Sequence, residues 1–420
     1  MTKRREIRAA AARPAFILSG SQAGGLRRRI DRFALATMFH HTTRLPHILP
    51  PQAYVADDQF RREVAALFRD APLCVATTME LAKPGDFLTM DLLGKPLQLR
   101  NVDGEIRAYS NVCAHRHCLL TSRTTGNSPK LRCQYHGWEY DADGKTAHIP
   151  QPKNFVPFDR DQDRLGRYRA ETCGRLVFVT LGDDAPTLRE RLGENFEPLA
   201  ERFDERWASS WTWQTTLDVN WKIPIENSLE GYHIPAVHPE TFKVAPTADR
   251  TTHVLETEWT LYRTPYVAPS AAERALFAVE RRALRILRRT PSAGYSHYHF
   301  FPNLLVSSSD MFSLAVSVLP VSPTRTELRV RQFTYRGVDP NPIGRFVSAF
   351  WSRLNRFLAR KVLAEDFSIY PAIQRGLAAS DRAGCLGTIE ERVHAFQAYV
   401  AAHTQYAAGP STADSAARLS

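Results

Sequence analysis

Two short segments of the chain each offer one cysteine thiolate and one histidine imidazole. Cys113 and His115 form a C-x-H pair, and Cys133 and His136 form a C-x-x-H pair further along the chain. Two such turns can hold a small iron-sulfur core between them, with the thiolates on one iron and the imidazoles on the other. Because neutral imidazoles replace two anionic thiolates, the reduction potential rises above that of an all-cysteine cluster. The four side chains therefore predict a [2Fe-2S] cluster that accepts electrons and passes them on.

A structural zinc ion is the alternative for the same side chains, because two cysteines and two histidines are also a common zinc set. Zinc fingers usually place the cysteines together and the histidines together. Each segment here mixes one of each, with a single residue between Cys113 and His115. The order of the ligands favours the cluster over zinc.

A second candidate metal site surrounds His233 and His238, with Glu226 and Glu230 just before them. Residues five apart on a regular helix lie about 140° apart, so the two histidines do not share a helix face. Pro235 cannot continue the helical hydrogen bonds, so we expect the helix to end near His233 and the chain to bend His238 round to the same point. Glu230 and His233 are expected to stay neighbours on the helix face. A carboxylate from elsewhere would complete a facial triad with open positions for O2 and substrate.

Three stretches of sequence resemble one known family. NVCAHR and CQYHGWEYDADGK, around the two cysteine loops, resemble the Rieske domain of ring-hydroxylating oxygenases, and EDFSIYPAIQRGL at 365–377 resembles the helix that carries the iron carboxylate in that family. ENSLEGYH at 226–233 is similar to the ENxxExYH context of choline-monooxygenase-like members. The chain thus resembles a Rieske non-haem iron oxygenase, the large (alpha) subunit of the aromatic-ring-hydroxylating dioxygenase family.

The resemblance implies a ligand set for the mononuclear iron. Asp366 matches the family's carboxylate ligand and would complete the Fe(II) site with His233 and His238, while Glu365 is a fallback ligand. Pro371 stands where the family commonly has Glu. We therefore expect this helix to end or kink one turn after the ligand.

The resemblance also implies roles around the two metals. Glu230 would link the mononuclear site to a cluster histidine of the neighbouring subunit in a head-to-tail homotrimer, and Asn227 and Tyr232 would lie beside the iron ligands. His117 and Cys118 stand where the family more often has glycine and a small or apolar residue. Cys118 is therefore expected to pack near the cluster without binding it.

The elements that must position these residues divide into two domains. A helical lead-in is predicted at 51–82, with Phe60, Val64, Ala65 and Phe68 on one face. Hairpin signals then predict a small all-β Rieske domain at 83–185 with the cluster at its tip.

The segment 186–406 is predicted to be the catalytic domain. Its recurring β segments suit an antiparallel sheet curved around a pocket, and a long C-terminal helix from Asn341, with Phe346, Phe350, Leu354 and Phe357 inward, would pack on one face. The predicted fold class is α+β, with a helix-grip, START-like catalytic domain. An amphipathic helix signalled by a capping box at Ser270 is expected to pack on the sheet and could line the pocket entrance; a partner or membrane contact is the alternative.

Charge is concentrated at the start of the chain. The net charge is +11, and residues 1–50 carry ten Lys or Arg against two acidic residues. We expect a disordered extension at 1–50 and a disordered tail at 407–420, with nucleic-acid or membrane-surface binding and a twin-arginine signal as alternatives.

No apolar run approaches the roughly 20 residues that span a bilayer, and the six cysteines do not suggest a disulfide framework. No nucleic-acid partner, no transmembrane segment and a cytoplasmic location are expected.

The expected function is that of a terminal oxygenase. Electrons would come from NAD(P)H through a separate reductase, with or without a ferredoxin, because the chain has no GxGxxG nucleotide fingerprint. With O2, the protein would hydroxylate or oxidatively demethylate a small organic substrate. One alternative is cis-dihydroxylation of an aromatic ring. The other is a Rieske electron-transfer or binding protein with an inactive mononuclear site.

Overall fold

The structure is a computed structural model that describes residues 39–239, 241, 250–265, 271–292, 294–338 and 340–406. The tail at 407–420, the capping box at Ser270 and most of the extension at 1–50 lie outside the described residues. Residues 45–46 of that extension form a strand paired with residues 385–386, so this part is ordered by backbone hydrogen bonds to the far end of the chain. None of the helices within the described ranges is both long enough and apolar enough to cross a membrane.

The described residues alternate short helices with antiparallel strands. The α-helices are α1 Asp57–Glu63, α2 Leu188–Leu192, α3 Phe196–Glu201, α4 Lys222–Leu229, α5 Ile234–Val237, α6 Ala271–Ile286, α7 Pro342–Ala379 and α8 Glu391–Thr404. The strands are β1 Leu45–Pro46, β2 Leu73–Thr77, β3 Asp86–Leu92, β4 Lys95–Val102, β5 Glu105–Ser110, β6 Thr125–Asn127, β7 Leu131–Arg132, β8 Glu139–Tyr140, β9 Thr146–His148, β10 Arg167–Cys173, β11 Leu176–Thr180, β12 Trp207–Leu217, β13 Thr252–Leu255, β14 Trp259–Pro265, β15 Gly294–Phe300, β16 Leu304–Ser308, β17 Phe312–Ser322, β18 Arg325–Tyr335 and β19 Cys385–Leu386. Single turns of 3-10 helix at Pro51–Tyr54, Thr78–Leu81, Pro152–Phe155, Gly193–Asn195 and Thr388–Glu390 and a π-helical turn at Val64–Phe68 complete the set.

A seven-stranded antiparallel sheet carries the cysteine loops. Its strand order is β2-β11-β10-β5-β4-β3-β6, and the small β7-β8-β9 sheet holds the second loop. Strand β2 corrects the prediction for 51–82, because the helical lead-in ends at Phe68 and all five residues of β2 are buried beside β11. The run LCVA is continuously apolar and lacks the 3.6-residue period of an amphipathic helix, which is typical of a strand buried on both faces.

The lead-in helix buries only part of the predicted face, because Phe68 is fully buried and Phe60 and Val64 are half-buried. Gln59 and Glu63 of α1 are fully buried, whereas Ala65 is exposed. The Glu63 carboxylate accepts hydrogen bonds from Lys222 Nζ at 2.7 Å and from Trp221 Nε1 at 2.7 Å, and neither Lys222 nor Glu63 has any exposed surface. Apolar periodicity could not indicate Gln59 and Glu63, because a buried ion pair attaches α1 to the start of α4.

Breaking this ion pair is expected to destabilise the protein strongly. Lys222→Met leaves the Glu63 carboxylate buried without a counter-charge, so we expect the free energy of unfolding to fall by roughly 3 to 5 kcal/mol. Arg62→Met is the matched control, because it removes the exposed pair between Arg62 and Asp58, which is expected to contribute less than about 1 kcal/mol. Urea unfolding of both variants measures the difference, and equal shifts would contradict the prediction.

The second seven-stranded sheet forms the catalytic half and has the order β12-β18-β17-β16-β15-β14-β13. Helix α7 packs against β12 and β18, where the rings of Trp213 and Phe367 stack with centroids 6.0 Å apart. We call the side of the sheet that carries Trp213 the α7 face. The α+β fold class, with a curved antiparallel sheet and a long C-terminal helix, is confirmed.

The inward face predicted for the first half of the long helix is confirmed for Leu354, which packs against the core, and is wrong for three phenylalanines. Phe346, Phe350 and Phe357 are 75%, 51% and 64% exposed, while Ser348 and Trp351 are buried. These three phenylalanines therefore point away from the core of this chain, because Ser348 and Trp351 occupy the inward side of α7.

Candidate metal centres

The two cysteine loops share one backbone plan. In each, the amide of the fourth residue after the cysteine donates to the cysteine carbonyl, from His117 to Cys113 at 3.0 Å and from Gly137 to Cys133 at 3.1 Å. Both fourth residues adopt positive φ, 57° at His117 and 74° at Gly137. Histidine is one of the side chains that tolerates this conformation comparatively well, which explains how His117 replaces the usual glycine. The turns aim the cysteine and the histidine of each loop at one shared space.

The four predicted cluster residues are brought together at that space. Cys113 and Cys133 are only 2% and 3% exposed, whereas the His136 side chain is exposed. The imidazole rings of His115 and His136 lie 4.8 Å apart. The thiolate side of the site is therefore buried and the imidazole side faces outward, where an electron can enter or leave.

An orphaned nitrogen shows that the loops fit a metal cluster. His115 Nδ1 is buried and has no hydrogen-bond partner among the described residues, while the ring is held by stacking on Trp138 at 4.8 Å and 2°. A buried ring nitrogen without a partner is costly, and coordination to iron removes that cost. Cys118 directs its Sγ to the Leu119 carbonyl at 3.4 Å, in keeping with a role outside the ligand set.

Tyr140 contacts the cluster site and was missed by the sequence interpretation. Its hydroxyl lies 3.0 Å from Cys113 Sγ and accepts from the Ala114 amide at 3.1 Å. Burial raises the pKa of Tyr140, so the hydroxyl stays protonated and can donate to a thiolate. Hydrogen bonds to cluster sulfurs raise the reduction potential. Its position in the HGWEY segment was the available signal.

The second site forms where α4 ends, and the break comes earlier than predicted. Helix α4 ends at Leu229, and Glu230 has extended backbone angles. Pro235 sits in the first turn of α5, where a helix needs no amide donor. Glu230 and His233 are therefore not neighbours on one helix face. Instead the turn folds Glu230 Oε1 back to His233 Nδ1 at 2.5 Å.

Three predicted ligands meet at this break. The ligand atoms of His233, His238 and Asp366 all lie within 4.8 Å of one another. Asp366 Oδ1 is 3.6 Å from His233 Nε2 and 3.1 Å from His238 Nε2. Two imidazoles and one carboxylate converging on a point fit a facial triad for Fe(II).

A carboxylate contacts the Nδ1 atom of each imidazole, on the side of the ring away from Nε2. Glu365 Oε2 lies 2.8 Å from His238 Nδ1, and Glu230 Oε1 lies 2.5 Å from His233 Nδ1. Thr241 Oγ1 also donates to Glu365 at 2.8 Å. Each pair fixes the tautomer that leaves Nε2 free for a metal. Glu365, expected as a fallback ligand, is thus engaged in orienting His238, because consecutive residues of α7 point in different directions.

Asn227 and Tyr232 were predicted to lie beside the iron ligands, and Pro371 was predicted to end or kink the helix that carries Asp366. Asn227 Nδ2 donates to Asp366 Oδ1 at 2.9 Å, which holds the carboxylate in place. Tyr232 has a side chain that is 70% exposed, and its backbone amide donates to the Glu230 carboxylate. Helix α7 continues through Pro371 to Ala379, contrary to the expected end, because the turns on either side of the proline stay packed.

Removing the support behind His238 is expected to weaken iron binding. Glu365→Ala frees the imidazole to rotate, and we expect iron affinity to fall roughly 10- to 100-fold, the usual effect of losing such a partner. Glu365→Gln is the matched control, since its amide oxygen can still accept from Nδ1. Iron titration followed by metal analysis checks the affinity, and cluster absorption should stay constant. An unchanged affinity in Glu365→Ala would refute this role.

Comparisons with known proteins agree with these two sites. Residues 71–165 match the Rieske [2Fe-2S] domain, and residues 203–406 match the ring hydroxylating alpha subunit (catalytic domain). The carnitine monooxygenase oxygenase subunit of Escherichia coli (strain K12) is 31% identical over 218 residues, which cover 51% of this chain and 58% of that protein. The glycine betaine monooxygenase oxygenase subunit of Pseudomonas aeruginosa (strain PAO1) is 32% identical over 197 residues, covering 46% of this chain and 45% of that protein. The matched region is therefore about half of each relative's length.

A solved structure shows the same fold. The quaternary ammonium Rieske monooxygenase CntA superposes with a TM-score of 0.69 at 22% identity, covering 86% of this chain and 96% of that one. The resemblance found in the sequence is confirmed. The chain therefore belongs to the Rieske non-haem iron oxygenases, as an alpha subunit in which a Rieske [2Fe-2S] domain precedes a ring-hydroxylating catalytic domain.

Proposed function

We propose that this chain is the terminal oxygenase component of a Rieske system that acts on a small organic substrate. The observation that carries the proposal is the convergence of His233, His238 and Asp366 in a chain that also holds a cluster site. Cys113, His115, Cys133 and His136 would hold the [2Fe-2S] cluster, and the triad would hold Fe(II). When bound, these groups supply single electrons and a centre for O2 reduction.

The chain's own residues prepare the iron site. Glu230 and Glu365 keep the Nε2 atoms of His233 and His238 directed at one point. Asn227 holds Asp366 by one oxygen. Because protein fills only one side of a facial triad, the opposite side is left for small molecules.

We favour monooxygenation, including oxidative demethylation, over cis-dihydroxylation of an arene. The supporting observation is that the relatives named above are monooxygenases of carnitine and of glycine betaine. A substrate of the quaternary ammonium class follows as the first to test. An electron carrier with an inactive mononuclear site is the alternative of another class, and the intact triad argues against it.

The proposal includes a separate reductase that draws electrons from NAD(P)H, with or without a ferredoxin, and a cytoplasmic homotrimer. The exposed Phe346, Phe350 and Phe357 of α7 support self-association, since contiguous exposed apolar side chains are typical of protein interfaces. In such a trimer Glu230 would connect His233 to a neighbouring cluster histidine. Nucleic acid is not part of the proposed function.

Reconstitution with a Rieske reductase, NADH and 18O2 tests the proposal. We expect substrate-dependent O2 consumption and one labelled oxygen atom in the product or in the released aldehyde. A product diol with two labelled atoms would instead support dihydroxylation. Reduction of the cluster without O2 consumption for any candidate substrate, with both metals loaded, would support the electron carrier. Asp366→Ala is the control for oxygen chemistry that does not need the iron.

A further inference from the structure

The α7 face of the catalytic sheet carries an unusual row of polar side chains. Directly paired residues of antiparallel strands lie on the same face, and the register places Gln332, Leu314, Ser307, His297, Tyr262 and His253 side by side across six strands. None of the six is acidic. Both amide atoms of the buried Gln332 have no hydrogen-bond partner among the described residues. Unpaired polar groups on a buried face are costly, so the row is suited to a polar ligand.

A buried cation lies at this row. Arg392 of α8 is 1% exposed, and its Nε donates to Thr260 Oγ1 at 3.0 Å. Its two terminal nitrogens both lie 3.2 Å from His297 Nδ1, and Nη2 also donates to the His297 carbonyl at 3.2 Å. All of these acceptors are neutral. Burial lowers the pKa of the Arg392 guanidinium.

The nearest carboxylate in sequence is already engaged elsewhere. Glu391 lies 2.9 Å from His253 Nδ1 and 3.1 Å from His41 Nδ1, and it accepts from the His40 amide at 2.8 Å. Among the residues that the structure describes, none places a carboxylate oxygen within ion-pair distance of Arg392. The charge of Arg392 therefore has no protein counter-ion in this part of the chain.

Arg392 determines which nitrogen of His297 carries the proton. A guanidinium can only donate, so His297 Nδ1 must accept and the proton must lie on Nε2. Burial and the charge of Arg392 lower the pKa of His297 well below its usual value, so the ring stays neutral. His297 is 6% exposed, and no described residue hydrogen-bonds to its Nε2. A fixed N–H donor, supported by a positive charge, thus faces the interior.

Arg392 also contacts the segment that leads into the candidate iron site. Arg392 Nη1 is 3.5 Å from the carbonyl of Leu229, which precedes the turn that holds Glu230 and His233. The row also lies on the face of the sheet against which α7, the helix that carries Asp366, packs.

We propose that His297, oriented by Arg392, is a substrate-binding residue and that the pair selects substrates that carry a carboxylate. The inference rests on the proposed function for calling the ligand a substrate. An N–H donor next to an uncompensated cation favours a negatively charged acceptor over a neutral one, because charge-assisted hydrogen bonds are roughly twice as strong. The neutral side chains of Gln332 and Ser307 in the same row would lie beside the other polar groups of the substrate.

Binding to the full-length, metal-loaded protein tests the proposal. The probes are a panel of aliphatic and aromatic monocarboxylates and the primary amide of each, measured by thermal shift and calorimetry. We expect at least one carboxylate to bind at least about tenfold more tightly than its amide. His297→Phe and His297→Leu remove the donor with different volumes, and both should abolish this preference. His297→Gln is the matched control and should keep most of it, because its amide can donate from near the Nε2 position.

Two results would overturn the inference. One is a panel in which no carboxylate is preferred over its amide by the wild-type protein. The other is a preference that survives in His297→Phe or His297→Leu while cluster absorption and circular dichroism are unchanged. Failure of the proposed function is distinguishable: carboxylates would then bind through His297, but none would be oxidised with reductase and O2. Oxidation of a neutral compound with the same KM in His297→Phe would leave the proposed function standing and reject the inference.

Discussion

Asp366→Ala is expected to remove the mononuclear iron and to lower turnover by roughly a thousandfold or more, while the visible absorption of the cluster stays unchanged. Asp366 supplies the only carboxylate among the three converging ligands. Without it, two neutral imidazoles would face a divalent ion with no charge compensation, which makes a weak site. Metal analysis, the absorption spectrum and O2 consumption on the same preparation measure the three parts of this result.

The neighbouring position provides the control for this variant. Glu365 precedes Asp366 on the same helix and carries the same functional group, but it contacts His238 Nδ1 and Thr241 and does not face Nε2. Glu365→Gln should therefore retain iron and most of the activity. His233→Ala should reproduce the loss seen in Asp366→Ala. Loss of the cluster together with the iron in either variant would contradict two independent metal sites.

Cys113→Ala is expected to bleach the visible spectrum and to abolish reductase-dependent turnover. Cys113 is buried and offers one of the two thiolates of the loops. An iron-sulfur cluster that loses a thiolate ligand is not retained, so iron and acid-labile sulfide should fall together. The mononuclear iron should remain, since its ligands lie in the other half of the chain.

Cys118→Ala is the matched control within the same loop. Its Sγ contacts the Leu119 carbonyl, so the variant should keep the cluster, its absorption and turnover. Unchanged absorption in Cys113→Ala, together with one bound zinc per chain, would indicate that these four residues form a structural zinc site and not a cluster site. A bleached Cys118→Ala would mean that the ligand set has been misassigned.

The candidate cluster residues could be predicted from the sequence because their chemistry is local. Each cysteine loop holds two candidate ligands within three or four consecutive residues, and the turns that position them are encoded in the same short segments. The sequence does not show which face of a helix packs against the rest of the chain. Phe346 and Phe350 form an apolar stripe that periodicity reads as core, but they are exposed because Ser348 and Trp351 pack closer to the sheet. Likewise Glu63 is buried because Lys222, far along the chain, neutralises it.

The sequence by itself determined the two metal chemistries and the α+β fold class, because a cluster and a facial triad each require side chains that few other residues can replace. Only the tertiary structure decided that Glu365 supports His238 and does not replace Asp366, that α4 ends before the first iron histidine, and that Arg392 fixes the proton of His297. These outcomes depend on hydrogen bonds between segments that are distant in sequence. Their strength comes from burial, which a residue acquires only when the chain is folded.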